Sequence, residues 1–326
     1  MTNIVRIACV QPKSLMGDDE YHNAFNALIY MEEAAKQGAQ LICFPEGYPG
    51  PYTGPMDSCN KLESPPIDMV RVKARELGVY VVAGCLEEEE NGCFKLSEKL
   101  IDPKGEVLGN YYRMQPNHPI FNKYLMGGKT DIVPGEDFVI VDTPLGKIGL
   151  LICSELFVPE LSRIVMLRGA DIIVAGGGGA HSTIRTRLTD TWRCVARSRA
   201  AENIVYVVMN QNMFREKGRG RACIAGPEEM LGERDDVGII IADADLDRLE
   251  YLRTHFYDEV ILSPFTNEEE VYKSRPGQNH DRRPEKYGDL VLPQKDAFDY
   301  TYMKKGKSYK DEYSKILQQP KPELIR

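Results

Sequence analysis

Along the chain, short β-branched runs alternate with stretches in which apolar residues recur at helical spacing. Residues 4–10 are typical of a buried strand, and residues 22–37 of an amphipathic helix that stops at Gly38. Two hairpins follow, with turns at 103–105 and 144–146. This order predicts an α/β fold in which helices are layered over mixed sheets. The further predicted strands and helices cover residues 41–44, 67–77, 79–85, 159–168, 171–175, 188–203, 204–210, 223–225, 237–243 and 246–253. From about residue 256 on, the hydrophobic periodicity is weak.

Composition narrows the class of protein. The 326 residues carry 41 Lys plus Arg against 49 Asp plus Glu, a net charge of −8. This argues against a nucleic-acid binder, because phosphate contacts need surplus basic side chains. A hydrophobic share of 42% is enough for a sizeable core and excludes disorder as the main state. No apolar run is long enough for a transmembrane helix, and the first residues lack the pattern of a signal peptide. We therefore expect a cytoplasmic protein without membrane contact.

The cysteines favour the same compartment. Of the eight, several lie in apolar runs typical of reduced, buried thiols, among them Cys9, Cys43 and Cys153. No CxxC pair or Cys/His cluster has zinc-ligand spacing, so we predict neither a metal nor a cofactor. The glycines at 176–179 lack the pattern of a phosphate loop. We expect them to allow close backbone approach to a site, with His181 beside them as a substrate contact.

Two charged residues stand where predicted strands end. Glu46 follows the strand at 41–44 in a Gly/Pro-rich turn, where apolar walls would raise its pKa as a general base requires. Capping of that turn is an equally good interpretation. Arg113 ends a hairpin strand and opens a long irregular stretch, where a cation can stabilise developing negative charge. Because surface arginines are common, Arg113 alone is weak evidence for a site.

Cys153 ends a third predicted strand, at 147–153, shortly before a helix. Backbone N–H groups at such a junction favour a thiolate, and the N–H of Ser154 can help to hold an oxyanion. The competing interpretation is one more buried cysteine. In a chain with eight cysteines, that is the commoner outcome for any one chosen without other information.

In their order and spacing, these three residues resemble the motifs of the nitrilase (carbon–nitrogen hydrolase) superfamily. Glu46 ends a Phe-Pro-Glu motif. Arg113 closes the sequence Gly-Asn-Tyr-Tyr-Arg, at the position where the family has lysine. Cys153 follows Ile152 and precedes Pro-Glu at 159–160, as in the family's cysteine motif.

Further similarity lies downstream of Cys153. Residues 197–208 are similar to the family's RARAxEN–YVV segment, residues 243–247 to its ADIDLD strand and residues 282–287 to an RRPELY tail found in some members. The resemblance covers about residues 4–290. It implies a carbon–nitrogen hydrolase domain at 1–290 and a C-terminal tail at 291–326 that packs on the body or on a partner subunit.

The resemblance implies a four-layer αββα sandwich, with mixed sheets flanked by helices, and a homodimer or higher homo-oligomer. It also implies covalent catalysis without a cofactor. Cys153 attacks an amide or nitrile carbon, and Glu46 takes the thiol proton and passes it to the leaving ammonia. A cation stabilises the oxyanion, and water then hydrolyses the thioester.

Two positions depart from the family pattern. Arg113 replaces the lysine, and a guanidinium is longer, planar and does not release its proton. Phe121 stands where many members have a second glutamate. Three interpretations stay open: Arg113 does the lysine's electrostatic work, Lys123 or Lys129 supplies the ammonium, or the chain has become a binding or scaffold protein. The intact nucleophile and base favour an active enzyme.

The predicted substrate is a small amide. Tyr52 and Phe121 lie in two segments expected to form walls of the pocket, and their aromatic rings favour a substrate with an apolar part. Arg185 and Arg187 would suit a carboxylate, so hydrolysis of N-carbamoyl amides stays an alternative, as does hydrolysis of nitriles.

The two classes of function differ in what they predict for the thiol. A hydrolase predicts an accessible and unusually reactive Cys153. A silent binding protein predicts an ordinary thiol, with Arg113 blocking the pocket.

Overall fold

The computed structural model describes residues 3–53, 56–90, 92–115, 132–180, 191–215, 220–255, 257–274 and 282–292. The strands in chain order are β1 Ile4–Gln11, β2 Leu41–Cys43, β3 Tyr80–Glu88, β4 Phe94–Ile101, β5 Val107–Tyr112, β6 Ile140–Thr143, β7 Gly146–Ile152, β8 Ile172–Ala180, β9 Tyr206–Met213, β10 Ala222–Ala225, β11 Met230–Arg234, β12 Gly238–Asp245, β13 Tyr257–Leu262 and β14 Glu269–Ser274. The α-helices are α1 His22–Lys36, α2 Pro66–Leu77, α3 Pro159–Leu167, α4 Thr191–Asn203 and α5 Leu246–Thr254.

Two mixed six-stranded sheets form the centre of the fold. The strand order is β12-β1-β2-β3-β4-β5 in the first sheet and β11-β10-β9-β8-β7-β6 in the second. Side chains of both sheets share one core, which contains Ile7 and Val82 from the first sheet and Leu150 and Val208 from the second. The predicted sandwich of two mixed sheets is confirmed.

Helices cover the outer face of each sheet. In the first layer, Met31 of α1 and Val70 of α2 pack with Ile42 and Val81 of the first sheet. Val165 of α3 and Ala196 and Ala200 of α4 join the core of the second sheet. Each helix packs its one apolar stripe against the outer face of a sheet. The layers therefore follow the order helix, sheet, sheet, helix.

Most predicted elements are confirmed to within a few residues, but three strands were not predicted. These are β11 and the hairpin β13–β14, which lies where only weak periodicity was visible. The hairpin leaves Val260 and Val271 about two-thirds exposed, at 62% and 67%. A strand that is exposed in this way carries no alternation of buried and polar positions, so its sequence lacks the usual signal. The boundary at residues 290 and 291 stays a prediction.

The topology brings strand ends of both sheets together. Strands β7, β8 and β9 are parallel, so their carboxyl ends lie at one edge of the second sheet. Asn210 of β9 donates to the Cys43 carbonyl at 2.7 Å, and Asn212 donates to the Glu46 carbonyl at 2.8 Å. These bonds tie the end of β2 to the end of β9. None of the helices in the described part of the chain has the length and hydrophobicity needed to cross a bilayer.

Candidate active site

Glu46 lies in the tight turn that follows β2. Gly47, next to it, has φ +64°, and a Cβ there would lie 2.4 Å from the ring of Tyr52, so the turn requires glycine. The Glu46 side chain is fully buried. Burial raises the pKa of Glu46, and Arg113 is the strongest of the groups that oppose this shift. The Cys153 thiol and the Tyr52 hydroxyl also lower its pKa.

Arg113 follows β5 directly and is 2% exposed. Its Nη1 donates to Glu46 Oε1 at 2.7 Å, its Nη2 to Ser154 Oγ at 2.6 Å, and its Nε to the Gln115 carbonyl at 2.9 Å. Charge-assisted bonds of this kind are strong and directional. The guanidinium therefore neutralises the buried carboxylate and connects it to the residue that follows Cys153.

Cys153 is the first residue of a short 3-10 turn, Cys153–Phe157, and has φ +54°. Its Sγ accepts a hydrogen bond from the Gly178 N–H at 3.3 Å. Burial, followed by the charge of Glu46, raises the pKa of the Cys153 thiol to about 12. The resting thiol is therefore protonated and 6% exposed. The expectation of an accessible thiol whose thiolate is favoured by backbone N–H groups was wrong, because burial outweighs the opposing effects of Arg113 and of the Gly178 N–H on the pKa of the thiol.

Glu155 is the main residue of the site that the sequence analysis missed. Its fully buried carboxylate accepts from Tyr111 Oη at 2.8 Å and from the backbone N–H groups of Met114 at 2.8 Å, Gln115 at 2.9 Å and Ile152 at 2.7 Å. It therefore ties the segment after Arg113 to the end of β7. The sequence does contain a signal that Glu155 is buried. It is followed directly by the apolar run 156–158, which is unusual for an exposed carboxylate.

The glycines at 176–178 lie inside β8, not in a loop after it. A Cβ at Gly176 would lie 2.7 Å from the backbone nitrogen of Glu46 and 2.7 Å from Oε1 of Glu98. The expected role in close backbone approach is confirmed at this position. Glu98 is another buried carboxyl group, and neither of its oxygens has a hydrogen-bond partner among the described residues.

The structure brings together most of the predicted site residues that it describes. Glu46, Arg113 and Cys153 form one cluster, with Tyr52 packed beside Glu46. The Ser154 hydroxyl accepts a hydrogen bond from Arg113, and the role of the Ser154 N–H in holding an oxyanion stays a prediction. The other predicted residues lie outside the described residues: Phe121, Lys123, Lys129, His181, Arg185 and Arg187. In the described part of the chain, no group of three His, Cys, Asp or Glu side chains could hold a metal ion.

This arrangement suits nucleophilic chemistry. A protonated thiol lies beside a carboxylate whose pKa is raised, and a fixed cation balances the charge of that carboxylate. A carboxylate in this position can accept the thiol proton as the sulfur attacks a bound carbon, so no free thiolate is needed in the resting state.

The chain is similar to known amidases. Residues 6–254 match the model of the carbon–nitrogen hydrolase family. The human omega-amidase NIT2 is 26% identical over 246 residues, which cover 71% of this chain and 86% of the relative. Nitrilase homolog 2 of Dictyostelium discoideum is 28% identical over 204 residues, 59% of each chain.

Solved structures agree with these sequence matches. An amidase from Nesterenkonia sp. superimposes with a TM-score of 0.61 at 25% identity, covering 76% of this chain and 92% of the other. A carbon–nitrogen hydrolase from Helicobacter pylori G27 shares the fold, with a TM-score of 0.69 at 19% identity over 90% of this chain and 99% of that one. The chain therefore belongs to the carbon–nitrogen hydrolase family.

Proposed function

We propose that this protein hydrolyses a small linear amide to a carboxylic acid and ammonia through a thioester on Cys153. The observation that carries the proposal is the contact of three buried groups: the Cys153 thiol, the Glu46 carboxylate and the Arg113 guanidinium. Similarity to an amidase supports it. In a mutant of the Nesterenkonia amidase, which is 25% identical to this chain, the acetamide moiety of fluoroacetamide is attached covalently to the active-site cysteine.

The proposed reaction has two halves. In the first, Glu46 accepts the thiol proton while Sγ bonds to the amide carbon, and the carbonyl oxygen becomes an oxyanion. The C–N bond then breaks, and Glu46 returns the proton to the leaving nitrogen as ammonia forms. In the second half, water gives a proton to Glu46 and attacks the thioester, and the carboxylic acid leaves as the thiol is restored.

Arg113 has an electrostatic role in this scheme. A guanidinium keeps its proton at any pH the protein experiences, so it can supply charge and N–H donors but cannot take part in proton transfer. Its position between Glu46 and Ser154 keeps positive charge beside the nucleophile throughout both halves. It stabilises the negative charge that forms there as the oxyanion develops.

A binding or scaffold protein without hydrolase activity is the competing function. Two observations favour it: each nitrogen of the Arg113 guanidinium already donates to a group of the chain itself, and the Cys153 thiol is buried. On this account the cluster is a structural ion pair, and a bound ligand would remain unchanged.

Ammonia release distinguishes the two functions. Small amides, nitriles and N-carbamoyl compounds would be incubated with the wild type and with Cys153→Ala. Cys223→Ala is a matched control, because Cys223 is equally buried and burial raises its pKa to about 12 as well. We expect ammonia from amides with the wild type and Cys223→Ala only. Absence of ammonia with every compound, or equal release by Cys153→Ala, would favour the binding protein.

The predicted homodimer or larger homo-oligomer belongs to the same proposal. Light scattering on the protein eluting from a size-exclusion column measures its mass directly, and a monomer of 36.8 kDa would contradict this part.

A further inference from the structure

The two oxygens of the Glu46 carboxylate are held differently. Oε1 accepts from Arg113 Nη1 at 2.7 Å, whereas Oε2 is buried and has no hydrogen-bond partner among the described residues. In the proposed function Glu46 accepts the proton of Cys153, so the rate depends on whether a lone pair of the carboxylate is directed at the thiol. A group that fixes Oε2 would therefore contribute to catalysis without touching the substrate.

The Tyr52 hydroxyl is placed to fix this oxygen. The Tyr52 side chain is buried, and its ring fills the space over Gly47, the residue next to Glu46. Its hydroxyl, like Glu46 Oε2, has no hydrogen-bond partner in the described part of the chain. Burial, followed by Glu46 and Cys153, raises the pKa of Tyr52, so the phenol keeps its proton and faces the carboxylate as a donor. The hydroxyl in turn lowers the pKa of Glu46, as a nearby donor does.

A third buried group, Glu20, fixes the backbone of Tyr52 from outside the site. Its carboxylate accepts from the backbone N–H of Tyr52 at 2.9 Å and from that of Thr53 at 2.9 Å. A Cβ at Gly50 would lie 3.2 Å from Glu20 Oε1, so the loop packs closely around the carboxylate. Charge-assisted bonds to two consecutive N–H groups are directional, and they set the direction in which the Tyr52 side chain leaves the loop.

Catalytic hydrogen bonds are often long without substrate and tighten once the site is filled. We propose that Tyr52, held by Glu20, is a positioning residue for Glu46: its hydroxyl donates to Oε2 and directs that oxygen at the Cys153 thiol. Arg113 and Tyr52 then fix one carboxylate oxygen each. This inference rests on the proposed function, and it assigns Tyr52 a role other than the predicted wall of the pocket.

The pH profile is one readout of this role. The titratable groups that face Glu46 are Arg113 after β5, Cys153 after β7, Glu98 of β4 and Tyr52 itself. Tyr52→Phe retains the first three and removes only the O–H donor. Loss of a donor disfavours the carboxylate, so the pKa of Glu46 should rise. Because the base acts only when ionised, kcat/KM should begin to fall at a higher pH than in the wild type as the solution is made more acidic.

Steady-state kinetics give the second readout, with ammonia release measured for a series of small amides from acetamide to butyramide. We expect Tyr52→Phe to lower kcat roughly 10- to 100-fold with little change in KM, because a carboxylate that is free to turn is less often directed at the thiol. A rise in the pKa of Glu46 alone would make it a stronger base, so a fall in kcat reports on its orientation.

Tyr48→Phe is the matched control. Tyr48 lies in the same loop, and its buried hydroxyl also has no hydrogen-bond partner among the described residues. Its ring stacks on Phe44, with 5.3 Å between ring centres, and the titratable group that acts on its hydroxyl is Tyr30 and not Glu46. We expect Tyr48→Phe to keep the kcat and the pH profile of the wild type.

Glu20→Gln tests the support of the loop. This change should lower kcat and shift the pH profile in the same direction as Tyr52→Phe. The double variant should lose no more activity than Tyr52→Phe alone, because both residues act on Glu46 through one hydroxyl. Losses that multiply in the double variant would contradict the part assigned to Glu20.

Two results for Tyr52→Phe would overturn the proposal while the amidase function stood. One is a kcat and a pH profile equal to those of the wild type. The other is a higher KM with unchanged kcat, which would make Tyr52 a substrate contact. No ammonia from any amide of the series with the wild type would overturn the amidase function and this inference with it.

Discussion

Glu46 Oε1 accepts a hydrogen bond from Arg113 Nη1 at 2.7 Å, and both side chains are almost completely buried. A buried ion pair of this kind is not in itself a source of stability, because removing both charges from water costs several kcal/mol for each. The position of this ion pair beside the Cys153 thiol gives a functional reason for the cost of burying both charges. In the mechanism we propose, the pair keeps a base of raised pKa ionised at the point where a proton is accepted.

Substitutions of Arg113 and of Lys123 show which of the two residues supplies the positive charge of the site. Arg113→Lys retains a cation that can reach Glu46 but cannot also keep the bonds to Ser154 and the Gln115 carbonyl. We expect kcat to fall roughly 10- to 100-fold for the loss of charge-assisted bonds. Lys123→Met should leave kcat unchanged. The reverse pattern in steady-state kinetics would mean that Lys123, not Arg113, supplies the catalytic cation.

The dependence of kcat/KM on pH in the acidic range should reflect the ionisation of Glu46. A general base acts only when ionised, so kcat/KM should fall as pH falls through its pKa. Burial raises the pKa of Glu46 above its ordinary value of 4.5, so the fall should begin at a higher pH than for an exposed glutamate. Glu46→Gln should lower kcat by about 100-fold or more. A Glu46→Gln enzyme with the wild-type profile would contradict the assignment of the base.

Glu155→Gln tests whether the Glu155 carboxylate holds the segment after Arg113 against the end of β7. The glutamine amide group would face N–H and O–H donors where the carboxylate now accepts four hydrogen bonds. We expect the free energy of unfolding to fall by about 2–4 kcal/mol, measured with denaturant. Glu250→Gln, at an exposed position, is the control and should change stability by less than about 0.5 kcal/mol. Equal stability of both variants would mean that Glu155 is not needed to join the segments.

Glu98 should make stability depend on pH. Burial, and after it the charge of Glu46, raises the pKa of Glu98 well above its ordinary value. The folded protein therefore binds a proton that the unfolded chain releases above about pH 4.5, so this group favours the folded state less as pH rises from there. Glu98→Gln removes the titration. We expect the variant to gain stability over the wild type between pH 4 and pH 8, by about 1.4 kcal/mol for each unit of pKa shift.

Thermal unfolding at these two pH values is the measurement for Glu98. The difference in Tm between Glu98→Gln and the wild type should be more positive at pH 8 than at pH 4. The same difference in Tm at both pH values would show that the pKa of Glu98 is the same in the folded and unfolded states.

The residues that could be predicted from the sequence are those at strand ends in recognisable motifs. Glu46, Arg113 and Cys153 were found in this way, and the strand order brings them together. The pKa of Cys153 was not predictable, because it depends on how deeply the second sheet and its turn bury the sulfur. Glu98 had a readable signal that was missed: Leu96 and Leu100 share its face of β4 by alternation, and both are buried.

Other residues could be placed only by the fold itself. Asn212 contacts the Glu46 carbonyl from a strand 166 residues away in sequence, and no local pattern indicates such a pairing. Sequence patterns indicate which residues are reactive, whereas long-range packing decides which of them share a site.

The most direct test of the central claim is the intact mass of the protein after brief mixing with small amides and acid quenching. We expect a mass increase equal to the mass of the substrate minus that of ammonia, which corresponds to the thioester on Cys153, in the wild type and in Cys223→Ala. Cys153→Ala should show none. The absence of any adduct, together with alkylation of Cys153 by iodoacetamide no faster than that of Cys223, would contradict the thioester mechanism.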